Sequence, residues 1–146
     1  KLGLTAQESI TTLQVATNKA KKSVVRGNYQ ISFVIQPNII TNENIPILQL
    51  LDCLRFFKNI PTTLPNDSCK QLLLLFGQYT EKQIHTTKQL ALKYNPATIA
   101  FLGALLETLN DKEDTNALYN LLNHQSSYKL GMSKNILLNQ KKWHIR

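Results

Sequence analysis

The stretch Ala91-Leu-Lys-Tyr-Asn-Pro-Ala-Thr-Ile-Ala-Phe-Leu-Gly-Ala-Leu-Leu-Glu-Thr-Leu109 decides how this chain folds. An amphipathic helical pattern runs into Tyr94, Asn95-Pro96 breaks it, and a second, more apolar helix begins at once. Proline suits a first helical position because its missing N–H would have no helical acceptor there. Asn95 is placed to cap the new helix through its side-chain oxygen. From Pro96 to Leu109 one broad face is apolar: Ile99, Phe101, Leu102, Leu105, Leu106 and Leu109. Gly103 and Ala104 leave room for another element to come close. Such a helix belongs at the centre of a core and carries no chemistry of its own.

Toward the N-terminus, Thr80 is followed three residues later by Gln83, a capping-box pattern that starts the helix running to Tyr94. Ile84, Leu90 and Ala91 are its candidate inner residues. Pro61 and Pro65 bracket a connection. Asp67 or Ser68 starts the next helix, through Leu72 and Phe76, and Gly77 ends it. A helix from Ile45 to Asn59, with Pro46 in its first turn, buries Ile47, Leu50, Leu51, Leu54 and Phe57 and turns Asp52 and Arg55 away.

Residues 12–36 read as strands. Leu13 and Val15 alternate with polar neighbours, and Gly27-Asn28 sits between two β-branched runs as a two-residue hairpin signal. Tyr29, Ile31, Phe33 and Ile35 share one face, which should pack on the helices. After the polar turn Asn110–Asp114 comes a short helix, Thr115–Asn123, with Leu118, Leu121 and Leu122. Tyr128–Leu130 and Lys141–Ile145 are extended and alternating, as terminal strands or a pinned arm. The expected class is therefore α+β, an N-terminal small β-sheet with a hairpin packed on about five helices and an extended C-terminal tail. One domain over 1–146 accommodates it: β-rich at 1–40, helical at 41–125, a tail at 126–146.

The 146 residues need no metal or disulfide to fold, because a chain this long buries roughly 70% of its unfolded surface. No apolar run approaches the roughly 18 residues of a membrane span. Cys53 and Cys69 match no metal or redox spacing; they read as reduced structural thiols, with a disulfide as the other option. His85, His124 and His144 show no metal-ligand spacing. There is no nucleophile elbow and no phosphate-cradling glycine loop. Asp52, Glu81 and Glu107 read as isolated carboxylates on solvated helix faces. Neither enzyme activity nor a cofactor is expected; an enzyme with an unfamiliar site would instead show a concave pocket of convergent polar groups.

The net charge of +8 is uneven. Residues 1–30 hold five Lys/Arg against one acid, 31–110 six against five, and 111–146 six against three. Basic ends favour polyanions. Lys19, Lys21 and Lys22 lead into the hairpin and Arg26 flanks its turn, a set suited to holding phosphates. Lysines guarding an edge strand against aggregation are the other reading. Trp143 is either an interaction anchor or an indole packed on the domain.

With these residues in hand, the chain resembles the AbiEi-like antitoxins of type IV toxin–antitoxin systems, which also act as transcriptional regulators. Leu2-Gly-Leu-Thr-Ala-Gln7, Ala16-Thr-Asn18 and Gly27-Asn-Tyr29 look like the family's passage from a winged helix-turn-helix into a strand region. Asn44-Ile-Pro-Ile-Leu-Gln-Leu-Leu-Asp-Cys-Leu54 with Lys58-Asn-Ile-Pro61 looks like its helix and following turn. Leu92-Lys-Tyr-Asn-Pro96 with Leu102-Gly-Ala-Leu-Leu-Glu107 is similar to its Lys-Tyr-Pro-Pro and Leu-Gly-Ala-Leu-Leu-Glu pattern, and Ser127–Gly131 and Lys142-Trp-His-Ile145 fit its tails. The resemblance implies a C-terminal regulatory and antitoxin domain whose N-terminal winged helix-turn-helix lies outside this chain. It implies DNA as partner, the operator of its own operon, read mainly by that other domain. It also implies a cognate nucleotidyltransferase toxin and a cytoplasmic location. The alternative is a protein-interaction or dimerisation module with no nucleic-acid role, suggested by the apolar Pro96–Leu109 helix and by Trp143.

Overall fold

The computed structural model describes residues 11–18, 22, 24–26, 29–59 and 64–146. From Gln36 onward the described chain is helical. Five helices occur there, α1 (Ile45–Arg55), α2 (Pro65–Gly77), α3 (Glu81–Ala91), α4 (Pro96–Leu109) and α5 (Asn116–Tyr119), with a 3-10 turn over Phe57–Asn59.

Each start has a local cause. Before α1, Thr41 and Asn44 exchange bonds: the Thr41 N–H donates to Asn44 Oδ1 at 2.8 Å and the Asn44 N–H to Thr41 Oγ1 at 3.2 Å. Pro46 and Pro65 occupy first-turn positions of α1 and α2, where no N–H is needed. At α3 the Thr80–Gln83 capping box forms in full. Asn95 sits at the N-cap of α4, but its Oδ1 accepts from the Thr98 hydroxyl and makes no bond to a backbone N–H. The expected Asn95 backbone cap is therefore replaced by a side-chain pair.

The core closes around α4. Residues Thr98 through Glu107 are all buried, as a helix apolar almost all round requires. α1, α2 and α5 pack on it. From α1 and the 3-10 turn come Ile47, Leu50, Leu51, Leu54 and Phe57, the expected stripe, and the Phe57 ring meets Phe101 edge-on at 4.8 Å. Cys69, Leu72 and Phe76 of α2 and Leu118 of α5 complete the shell. Leu109, expected inside, is 41% exposed and Leu121 is 50% exposed. α5 is one turn long, so Leu121 falls beyond its helical register.

Ahead of the helices the backbone runs through β1 (Thr11–Thr17), β2 (Val24–Arg26) and β3 (Tyr29–Ile35). β3 pairs parallel with β1 and antiparallel with β2, with Arg26 opposite Tyr29. The Gly27-Asn28 turn lies outside the described residues.

The expected α+β architecture is corrected here. Among the described residues the substantial packing contacts join strand to strand or helix to helix. Thr17, Asn18, Lys22 and Ile35, the residues before Gln36 whose burial is described, lie outside the core, and no strand occurs among the described residues from Gln36 to Arg146. An N-terminal sheet is not a layer of this body, which is all-helical. Period-two alternation marks extended chain but does not say what its apolar face rests on. α4 is covered by helices and by the tail instead.

The tail is corrected as well. It is a series of turns folded back over α4, closed by a single bridge between Tyr128 and Ile145. Asn135, Asn139, His144 and Gly131 take positive φ values, which reverse the chain and rule out an extended arm. Leu130, Met132, Leu137, Trp143 and Ile145 bring it into the core. No helix among the described residues is long and apolar enough to cross a membrane.

Candidate functional site

Of the four cations expected to meet phosphates, Lys19 and Lys21 lie outside the described residues. Lys22 is exposed. Arg26 closes β2 opposite Tyr29, and its described part is its backbone. The described atoms do not bring the four together.

The base of the segment that carries them is held firmly. Asn18, directly after β1, donates through Nδ2 to Gln36 O at 2.7 Å and to Asn38 O at 2.9 Å. The Gln36 N–H donates to Thr17 O at 2.7 Å. The Gln36 side chain is buried, and its Nε2 donates to the Tyr94 hydroxyl at 2.7 Å. That hydroxyl donates onward to Asp52 Oδ1 at 2.8 Å. Asn38 Nδ2 bridges Gln36 Oε1 at 3.1 Å and Leu90 O at 2.9 Å, and Arg55 Nη1 donates to Ile35 O at 2.9 Å. The ends of β1 and β3 are thus pinned to α1 and to the joint between α3 and α4.

The electrostatics follow from this burial. Burial pushes the Asp52 carboxyl above the usual range, while the Tyr94 hydrogen bond and the Arg55 charge pull it back. Burial also pushes the Tyr94 phenol far up, so it stays an O–H donor. Asp52, read from the sequence as an isolated carboxylate on a solvated face, is half-buried and hydrogen-bonded.

A second polar centre sits at the far end of α4. Glu107 is 4% exposed and accepts from four donors. These are Thr115 Oγ1 at 2.7 Å, Asn139 Nδ2 at 2.8 Å, Lys142 Nζ at 2.7 Å and Trp143 Nε1 at 2.9 Å. Burial raises its pKa, but the bonds from Lys142, Trp143, Thr115 and Asn139 together outweigh that and hold it at about 2. Trp143 is fully buried, its ring lies against Gly103, and its edge meets Tyr119 at 5.4 Å. Of the two readings of Trp143, the packed indole is the one observed. Glu107 had one signal in the sequence, a lone carboxylate inside a leucine run, which a buried helix tolerates only when it is paired.

Beside this centre His124 Nδ1 and His144 Nε2 lie 3.2 Å apart, and the His124 ring tilts against Tyr119. Twenty residues separate the two histidines, so no spacing could have announced the pair. Among the described residues no group of three His, Cys, Asp or Glu is placed to hold a metal ion. Cys53 and Cys69 are free thiols, and burial pushes both up to about 11, so neither is a thiolate nucleophile at neutral pH.

Comparisons of the chain with protein-family models, with curated proteins and with solved structures find no match.

Proposed function

We propose that this chain is the C-terminal domain of an AbiEi-like antitoxin and transcriptional repressor. In this reading it is a cytoplasmic, non-enzymatic domain that contributes antitoxicity and sequence-independent contacts to DNA phosphates. The observation that supports the reading is where the resembling segments meet. Asn18, Asp52 and Tyr94 come from three separate segments and share one hydrogen-bond network. Gly103 and Glu107 come from a fourth, and they receive Trp143 and Lys142 of the tail. Motifs scattered along the chain thus form two joints of one body. The network at Asn18 also fixes the base of the basic segment, where Lys19, Lys21, Lys22 and Arg26 would hold phosphates beside an operator read by a winged helix. Such contacts position a protein on DNA without specifying sequence.

The test is duplex-DNA binding followed by fluorescence anisotropy between about 50 and 200 mM salt. Affinity is expected to fall steeply as salt rises. Changing Lys19, Lys21, Lys22 and Arg26 together to Ala is expected to reduce the log–log salt slope by about 3 to 4. An unchanged slope removes the four residues from the interface. Co-purification with a nucleotidyltransferase encoded beside the gene tests the antitoxin part.

The interaction-module alternative rested on α4 and Trp143. α4 is buried along most of its length and Trp143 fully, so neither offers an open docking face.

A further inference from the structure

His124 follows the turn after α5, and His144 lies in the closing turn of the tail. Between these two rings His124 Nδ1 and His144 Nε2 face each other at 3.2 Å, with the ring centroids 5.4 Å apart. Each ring is held from behind. His144 takes φ +60, a backbone region few side chains enter, and there its neighbours Trp143 and Ile145 both turn into the core while its own ring stays half-exposed. The His144 N–H donates to Lys141 O at 3.1 Å, and its carbonyl accepts the Tyr128 N–H at 2.7 Å. The His124 ring lies against Tyr119 of α5 at 4.8 Å, and Tyr119 meets the edge of Trp143. The two nitrogens are therefore placed by the body and not by each other.

The spacing states what can sit between them. Two imidazole nitrogens on a tetrahedral zinc ion, each at about 2.0–2.1 Å, stand about 3.3 Å apart. A square-planar ion of similar bond length would need about 2.9 Å. The observed 3.2 Å matches the tetrahedral case. Among the described residues neither imidazole pairs with a carboxylate. The nearby Glu107 is already taken by four donors, and it also neutralises Lys142, whose Nζ lies 5.4 Å from the Tyr119 ring centroid. His124 is exposed, so water has access to the remaining ligand positions of an ion.

We infer that His124 and His144 form a two-histidine site for a zinc ion, which joins the tail to the segment after α5. In the metal-free pair one ring nitrogen donates its hydrogen to the other. On binding, both facing nitrogens give a lone pair to the ion, and each neutral ring keeps its hydrogen on the far nitrogen, His124 Nε2 and His144 Nδ1. Water fills the other positions. Because the two ligands are preformed, binding needs no refolding of the tail. The site is separate from the Lys19–Arg26 segment and does not depend on the reading given above.

The experiment is calorimetric titration of the untagged chain with zinc chloride at about pH 7.5, where imidazole is neutral, followed by thermal unfolding with and without the ion. Magnesium chloride forms a parallel arm, since that ion prefers oxygen ligands. A single zinc ion is expected to bind, and at about ten times its dissociation constant to raise the Tm by about 4 °C. His124→Gln, at an exposed position, and His144→Asn, which tolerates the positive φ, are each expected to weaken binding about tenfold or more. His85→Gln, on α3, should leave it unchanged. In NMR spectra the imidazole signals of His124 and His144 should shift with zinc, and those of His85 should not. No binding up to about 1 mM zinc, the edge of measurable affinity, overturns the site. So does binding that survives both the His124 and the His144 change, or that His85→Gln weakens equally. An equal response to magnesium overturns the assignment to zinc.

Discussion

At Gly103 a single missing side chain decides the packing of the tail. A Cβ placed there would lie 2.3 Å from the Trp143 ring, far inside contact distance. The indole is fully buried and cannot swing away without leaving the Glu107 carboxylate. Gly103→Ala is expected to cost about 2 kcal/mol through overpacking. Urea unfolding would measure the loss, and the emission of Trp143, the only tryptophan, should shift to the red as the ring is expelled. An unchanged midpoint and spectrum would place the indole elsewhere. The room at Gly103 was legible in the sequence because a glycine amid leucines in a helix costs stability without a packing reason. Its occupant was not legible, because nothing local links residue 103 to residue 143.

At the level of elements, the starts were legible and the extents less so. A cap is chemistry between residues three apart, and the Thr80–Gln83 box formed as its spacing suggests. Thr80→Ala is expected to lower stability by about 1 kcal/mol, read as a lower urea midpoint with the same slope. A loss below about 0.3 kcal/mol would mean that the neighbouring turn holds α3 without its cap. Ends depend on what lies beyond the element. α1 stops at Arg55, and a 3-10 turn carries Phe57 onto Phe101, where one continuous helix to Asn59 was expected. The strand pattern at 12–36 likewise described backbone direction only. Whether such strands form a layer depends on partners that α4 found among the other helices.

At the scale of the whole molecule, Glu107 joins α4, the segment before α5 and the tail through one carboxylate. Its pKa is lowered in the fold from the ordinary 4.5 to about 2, so the unfolded chain binds its proton first as pH falls. The stabilisation it supplies is complete above the unfolded value and is lost as pH falls from about 4.5 toward 2. Glu107→Gln is expected to lower stability by about 2 kcal/mol at pH 7, since the bonds from Thr115, Asn139 and Trp143 lose their charged acceptor while Lys142, 45% exposed, is left to solvent. The variant should also lose part of the acid dependence, so the gap between wild-type and variant urea midpoints narrows from pH 5 to pH 2. A gap that stays constant over that range would mean that Glu107 is not the linked group. Limited trypsin cleavage after Lys141 and Lys142 should speed up in the same variant.

By itself, the sequence determined the apolar helix after Asn95-Pro96, the buried stripe of α1, the capping of α3 and the excess of cations at both ends. All of these rest on residues within a turn or two of one another, or on simple counting. Only the tertiary structure decided that α4 is covered by helices and a folded tail. It alone placed Asp52 against Tyr94 and Glu107 against Trp143, and it alone brought His124 to His144. These contacts join residues 20 to 42 positions apart. Burial and long-range hydrogen bonding are properties of the assembled chain, so a lone carboxylate in a helix looks solvated until its partners arrive from elsewhere.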